Sequence, residues 1–338
     1  MEAKAGSDPR SLMQIYMAMT GSRVLTAALQ LDLFSRLAEG SDTAADLAKS
    51  AGASERGTRM LLDGLCALGL LGKEDGNYRL PPSSRAFLVR SSPDYVGALM
   101  ETDDLWNAWG GLTTAVRTGR PVQAVEDRGR AEAFFPILIR SLHVLNREPA
   151  RLLAIALGAG AAHRGLAVLD IGAGSAVWSI AIAEADPDAH VTAQDFPGVL
   201  EHTRTFVERH GLAGRFDYLP GNLNDVSFGT ERFDLAVLGN IVHSEGERSA
   251  RQLFPRLYAA LRPGGRVAIV EFVPAEDRTF PPASVLFALN MLVNTEHGDT
   301  FTLSQYRAWL AEAGFAEIET ADIGLELLTA SPAIIATK

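Results

Sequence analysis

The stretch Leu166-Ala167-Val168-Leu169-Asp170-Ile171, running straight into Gly172-Ala173-Gly174-Ser175, constrains this chain more than any other. A short, continuous apolar run without polar alternation is what a strand covered on both faces requires, and such strands belong to parallel sheets flanked by helices. Similar runs follow at 190–194, 215–219, 233–238 and 266–271. Between them lie segments with helical patterning at 176–185, 198–210 and 247–261. Strand alternating with helix predicts a doubly wound parallel sheet. The tail adds a helix over 303–313 and strands over 315–320 and 331–337, with no helix between the last two. That pair is expected as an antiparallel hairpin at one edge, which makes seven strands.

The glycines sit where the first strand ends and a helix begins. Glycine there lets the backbone approach a ligand without a side chain in the way. Asp195 ends the second strand, and a carboxylate at that place can take both ribose hydroxyls of a nucleoside. Dinucleotide dehydrogenases share this arrangement. Their fingerprint has a third glycine, which serves close packing and the approach of a pyrophosphate; Val177 stands there instead. A nucleoside without pyrophosphate fits better, and Asp170, just before the glycines, suits a cationic ligand bearing an amino acid. The pattern favours a methyl donor over a nicotinamide.

A chain of 338 residues exceeds one ordinary core, so a second domain is expected over 1–158, before an α/β domain over 159–338. A helix over 10–38 places Leu12, Ile15, Tyr16 and Met19 on one face and Met13, Met17 and Val24 on another. A helix apolar on two faces needs two partners, its own domain and a second subunit. Residues 41–85 read as a winged helix-turn-helix: Ser41-Asp42 capping a helix over 43–49, a turn at Gly52, a second helix from Ser54 to Leu68, and a β-wing turning at Asp75-Gly76-Asn77. Six acidic residues (Asp42, Asp46, Glu55, Asp63, Glu74, Asp75) balance six basic ones there, and the net charge of the chain is −10. Groove reading needs a distinctly basic helix, so the winged helix is expected to be scaffold. Residues 87–157 are helical around a loop at 118–129 and contain Trp106, Trp109, Phe134, Phe135 and His143, some of them expected at a pocket between domains. The single cysteine, Cys66, lies in an apolar run and reads as a small core residue. The polar start, with Glu2, Lys4, Asp8 and Arg10, and the lack of a membrane-length apolar stretch predict a cytoplasmic protein without membrane partners.

The Leu31-Asp32-Leu33-Phe34 helix end, the winged helix, the glycine loop, Asp195-Phe196-Pro197-Gly198 and Leu261-Arg262-Pro263-Gly264-Gly265-Arg266 together resemble the dimeric small-molecule O-methyltransferases of plants and bacterial natural-product pathways. The likeness covers nearly the whole chain. It implies a Rossmann-like, seven-stranded methyltransferase domain behind an N-terminal winged-helix dimerisation domain. It also implies a homodimer, S-adenosylmethionine as cofactor and S-adenosylhomocysteine as product. Gly172 and Gly174 would then line the methionine part, Asp195 would hold the ribose and Gly221-Asn222-Leu223 would flank the adenine, with Asp170, Phe196 and Asn240 also among the cofactor-binding residues. The family usually has Asp in place of Asn222, whose amide carbonyl can still meet the adenine amino group.

Methyl transfer is an in-line displacement on an already activated carbon, so the protein must align the acceptor and manage its proton. A phenol with a pKa of about 10 needs a general base at neutral pH. His243, in Gly239-Asn240-Ile241-Val242-His243-Ser244 after the fourth strand, is a candidate. A loop histidine bonded to the backbone is the other reading; the resemblance implies the base. A carboxylate that fixes the tautomer of such a histidine is expected. Glu271, a charge ending an apolar strand, matches one partner in the family. The second glutamate of the plant enzymes falls near Thr300, with Glu296 and Asp299 close in sequence. Phe287, Asn290, Met291 and Asn294 recur at helical spacing as an acceptor wall, with Trp106 or Phe135 opposite and His297 as a further polar contact. No metal is expected. The expected activity is O-methylation of an aromatic or polyketide-like small molecule. The rivals are N- or C-methylation, a non-methylating member of the fold, and a ligand-sensing DNA-binding regulator.

Overall fold

The computed structural model describes residues 8–122, 128–324 and 332–338, with side chains in the helix Arg128–Ala156 described from Phe135 onward. It divides into two compact units, Met1–Leu105 and Trp106–Lys338.

In the first unit the helix expected over 10–38 is two helices, Pro9–Gln30 and Leu33–Ala38. The break is Asp32, held at φ 53° while its carboxylate accepts from Arg90 Nε at 3.0 Å. The next helix, Ala44–Ala51, is capped by Thr43, whose hydroxyl accepts from Asp46 N at 3.1 Å, and not by Ser41-Asp42. Thr43 has the extended backbone that an N-cap needs, with an acidic residue three positions on. Ser54 caps Glu55–Ala67 as its sequence implies. Strands β1 (Gly72–Glu74) and β2 (Asn77–Arg79) form the wing, and both turn residues, Asp75 and Gly76, have positive φ, as a tight hairpin demands. Leu29, Phe34, Leu47, Leu62, Leu65 and Tyr78 make the core of this unit. Burial raises the pKa of the half-buried Cys66 thiol, which makes it a poor nucleophile. Leu12, Ile15 and Tyr16 on the first helix are 68%, 75% and 63% exposed, a large apolar surface for water to face.

The second unit holds a seven-stranded sheet of β3 (Ala167–Ile171), β4 (His190–Asp195), β5 (Phe216–Pro220), β6 (Phe233–Gly239), β7 (Leu261–Val270), β8 (Ala316–Ala321) and β9 (Ala333–Thr337). Their order is β5-β4-β3-β6-β7-β9-β8. Strands β3 to β7 pair in parallel, and β9 lies antiparallel to both β7 and β8. Ser331, the expected first residue of the last strand, lies outside the described residues. Alternate residues of β3 bury on opposite faces: Val168 among Trp178 and Ile180, Leu169 and Ile171 among Leu253, Phe254 and Leu257. The chain order reverses between β3 and β6, so the cleft for a ligand opens at their carboxyl ends.

The described residues of 106–158, grouped by sequence with the N-terminal domain, belong instead to the unit that holds the sheet. Ala150, Leu153 and Leu157 of the helix Arg128–Ala156 join the core around Trp178, and Ala108 and Ala115 bury against Val293. An apolar helix face goes where apolar area is offered, and here the sheet offers it. Of the expected loop at 118–129, residues 123–127 lie outside the described ones, and the helix resumes at Arg128. Phe134 likewise lies outside the described side chains.

At the end of β6 a Cβ on Gly239 would stand 2.0 Å from Trp178 Nε1. Trp178 is 4% exposed and has nowhere to go. Gly239→Ala should therefore cost about 1–3 kcal/mol through overpacking. Scanning calorimetry checks this as a lowered Tm; an unchanged Tm would mean that the tryptophan yields freely.

Candidate active site

The glycine loop is cradled from both sides. Gly172 and Gly174 have φ of 62° and 54°, and a Cβ on Gly172 would press to 3.0 Å from the Ile241 side chain. Gly174 N donates to Asp195 Oδ2 at 2.9 Å, and Phe196 N donates to Oδ1 at 2.7 Å. Each carboxylate oxygen thus keeps a further lone pair. Burial pushes Asp195 up to about 6 against these two donors. Asp170 is fully buried, accepts from Ser179 Oγ, and is pushed up to about 7 by burial, with Asp195 adding to the rise. On the β6 side Asn240 adopts φ 60°, and its buried Oδ1 has no partner among the described residues. Asn222 is exposed, its Oδ1 accepting from Asn224 N at 2.9 Å, and Leu223 is buried in the core.

Close by, at the end of β7, Glu271 is 1% exposed and His243 8%. His243 Nδ1 lies 2.7 Å from Glu271 Oε2. Oε1 of the same carboxylate accepts from Val242 N at 2.7 Å and His243 N at 3.2 Å, and Oε2 also accepts from Phe272 N at 3.3 Å. A carboxylate only accepts, so Nδ1 carries the proton and Nε2 presents its lone pair. The loop after Asn294 fixes the backbone: Asp299 N donates to the His243 carbonyl at 2.9 Å. Gly246, with φ 79° and ψ 169°, breaks the helix Val242–Ala260 after its first turn. The imidazole is walled by Phe287, edge-on at 4.9 Å, and Phe272 at 6.0 Å, these two rings being stacked 3.7 Å apart.

Phe287 belongs to the helix Pro282–Asn294, which also carries Asn290, Met291 and Asn294. Trp109 Nε1 donates to Asn290 Oδ1 at 3.2 Å. Met291 is buried and packs beneath Gly298. Trp106 is exposed, Phe135 half-buried and His297 exposed. One carboxylate, Glu271, is bonded to the imidazole. Thr300 is buried, its hydroxyl without a partner among the described residues, while Asp299 caps Thr300 N at 2.7 Å and faces Arg278, and Glu296 is exposed.

Residues 156–316 match the O-methyltransferase domain and residues 13–90 the O-methyltransferase dimerisation domain. The chain is 31% identical over 326 residues to the tetracenomycin polyketide synthesis 8-O-methyl transferase of Streptomyces glaucescens, covering 92% of this chain and 93% of that protein. This chain belongs to the O-methyltransferase family. It is also 30% identical over 322 residues to the 3-hydroxy-5-methyl-1-naphthoate 3-O-methyltransferase of Streptomyces sahachiroi, covering 92% and 91% of the two chains. Human N-acetylserotonin methyltransferase, solved in complex with S-adenosylmethionine, superposes with a TM-score of 0.84 at 25% identity, over 100% of this chain and 99% of that one. The enzyme is an S-adenosylmethionine-dependent methyltransferase. Among the described residues no helix is long and apolar enough to cross a membrane.

The methyltransferase fits this cofactor by its own atoms. Asp195 has two lone pairs to offer a ribose diol, and the orphaned Asn240 Oδ1 is an acceptor suited to an ammonium group. An ionised carboxylate accepts from two hydroxyls more strongly than a neutral carboxyl, so lowering the pH through about 6 should protonate Asp195 and weaken cofactor binding, by up to about tenfold per pH unit below that point. Calorimetric titration with S-adenosylmethionine, with NAD as control, checks it. Asp195→Ala should abolish both most of the affinity and the pH dependence; a pH dependence that survives the substitution assigns it elsewhere.

Three supporting residues escape sequence reasoning. Ser179 donates to Asp170; Thr203 Oγ1 donates to the Gly174 carbonyl at 2.7 Å; Gln194 Nε2 donates to the Gly221 carbonyl at 2.7 Å. A signal existed for Ser179, a polar residue in the otherwise apolar helix start Val177-Trp178-Ser179-Ile180.

Proposed function

We propose that this enzyme O-methylates a hydroxyl of an aromatic or polyketide-like small molecule, with His243 as general base and Glu271 as the residue that orients it. The observation that carries the reading is the buried 2.7 Å contact between His243 Nδ1 and Glu271. The cofactor supplies a methyl group already activated on a sulfonium. Nε2 of His243 accepts the proton of the acceptor hydroxyl as the oxygen attacks, and Glu271 steadies the imidazolium that results. Phe272 and Phe287 keep water from the ring, which preserves the strength of that contact. The cofactor lies along Asp170, Gly172, Gly174, Asp195, Phe196, Asn222, Leu223 and Asn240. The acceptor lies along Phe287, Asn290 and Asn294, with Met291 behind them and Trp106 and Phe135 as further wall. Residues 159–338 carry the cofactor, and the exposed apolar face of the first helix pairs two copies as a homodimer. The aromatic acceptor class is supported by the two Streptomyces relatives, which by name act on a polyketide and a naphthoate.

The test is methyl-labelled S-adenosylmethionine with a panel of phenols, naphthols and hydroxyquinones, followed by product analysis. Label on oxygen supports the reading. Label on nitrogen or carbon replaces it, and label on no acceptor removes transferase chemistry on this class.

A further inference from the structure

The turn that carries the base is joined by side chains to the segment 222–226, on the cofactor side of the cleft. Gly246 leaves helical geometry three residues after His243, so backbone hydrogen bonds alone do not fix how that turn sits on the rest of its helix. Only glycine fits at the break, since φ is 79° and a Cβ would stand 2.5 Å from the His297 carbonyl oxygen. Glu245, in the same turn as His243, reaches out of it in two directions. Its Oε2 accepts from Asn224 Nδ2 at 3.0 Å and from Ser249 Oγ at 2.5 Å. Ser249 lies beyond the break, and its Oγ is also 3.0 Å from Asn224 Oδ1. A hydroxyl has one hydrogen to share between these acceptors, and the ionised carboxylate is the stronger. Asn224 in turn donates its backbone N–H to Asn222 Oδ1 at 2.9 Å. Arg256 holds the same segment from the far part of the helix, its Nη1 donating to the Leu223 carbonyl at 2.7 Å and its Nη2 to the Val226 carbonyl. Glu245 and Ser249 are half-buried, where a charge-assisted bond is screened less than on an open surface.

We infer that Glu245 is a positioning residue which, through Asn224, lets the adenosine end of the cofactor set the turn that aims His243. A seated adenine orders Asn222 and Leu223, those residues hold Asn224, and Asn224 holds Glu245. The turn then has a further anchor beside the bonds that Glu271 and Asp299 make to its backbone. With the cofactor gone, the segment 222–226 shifts more freely and the turn follows it. The base thus reaches its working place when a methyl group is present to replace the proton it takes. This link rests on the roles proposed for His243 and for Asn222-Leu223, and it adds the connection between them. Its effect falls on rate more than on binding, since a group misplaced by about 1 Å can cost about 10² in turnover.

Hydrogen–deuterium exchange of the peptide spanning 242–246, followed in the full-length enzyme with and without saturating S-adenosylhomocysteine, reads the link without any chemistry. In the wild type, bound ligand should slow exchange of this peptide about tenfold. Glu245→Ala should remove most of that slowing. It should also lower the single-turnover rate on an acceptor returned by the labelling panel about tenfold, with calorimetric affinity for S-adenosylhomocysteine within about threefold of wild type. Glu245→Gln keeps an acceptor for Asn224 and Ser249 and should restore both slowing and rate. Asn224→Ala should reproduce Glu245→Ala, and the double variant should be no slower than either single one, because the two residues make one connection. A wild-type peptide that exchanges equally fast with and without ligand overturns the inference. So does a slowing that survives Glu245→Ala, and so do single-variant rate losses that multiply in the double. Failure of the general-base reading looks different: exchange responds as described, yet His243→Ala turns over like wild type.

Discussion

Replacing His243 by alanine lowers turnover by about 10²–10⁴-fold and leaves affinity for S-adenosylmethionine within about twofold of wild type. The size follows from the part proposed for the imidazole as general base. A phenolic hydroxyl is almost wholly protonated at neutral pH, and the activated methyl group lowers only the other half of the barrier. What survives without the base is alignment, which is worth much by itself. Cofactor affinity is spared because the ring bonds to Glu271 and packs on Phe272 and Phe287, while the groups proposed to hold the cofactor lie on the glycine loop, Asp195 and Asn240. Single-turnover rates with labelled donor, beside calorimetry, give both numbers. Turnover within about threefold of wild type would remove His243 from the proton transfer.

Changing Glu271 to glutamine produces a loss of similar size by another route. The amide can still accept from Val242 N and His243 N through one oxygen. The atom facing Nδ1 is then free to be an N–H donor, which puts the imidazole proton on Nε2 and leaves no lone pair toward the acceptor. A comparable tautomer change in a serine protease triad costs about 10⁴ in rate, so a fall of about 10²–10⁴ is expected here. Glu271→Ala should do more than lower the rate. It strands buried N–H groups of Val242, His243 and Phe272, at about 1–3 kcal/mol for each left without water or another partner. The two variants separate orientation from folding: glutamine, which strands only the Phe272 N–H, should turn over slowly and melt closer to wild type than alanine, which strands all three. If the glutamine variant keeps wild-type turnover, the carboxylate has only a structural part.

Much of this arrangement is legible in the sequence itself. The strand at Ala167–Ile171, the glycine loop and Asp195 are local: each depends on residues adjacent in sequence or on a strand whose end is marked by its charge. Glu271 stood out because a carboxylate ending Val267-Ala268-Ile269-Val270 has to be paired or repelled. What stayed hidden depends on tertiary contact. The bend at Asp32 is stabilised by Arg90, fifty-eight positions away. Residues 106–158 look helical from sequence whichever unit receives them, and only the area offered by Trp178 and its neighbours decides. Asn240 carries no mark of its positive φ, and Thr203 none of its bond to Gly174. The side-by-side spacing of Asn290 and Asn294 is readable, but which way the Asn290 amide turns depends on Trp109, a residue 181 positions removed.

The break at Gly246 has a mechanical consequence. Because the helix does not run on uninterrupted from Val242, the first turn bearing His243 is outside the continuous backbone ladder of the fourteen residues Glu247–Ala260. Its backbone around His243 is tied to the Glu271 carboxylate and the Asp299 N–H, with the Glu245 side chain reaching across the break to Ser249. On warming, a segment held by such ties lets go before a packed helix and sheet do. Catalysis should therefore fail first in this enzyme, while the protein is still folded and still holding its methyl donor.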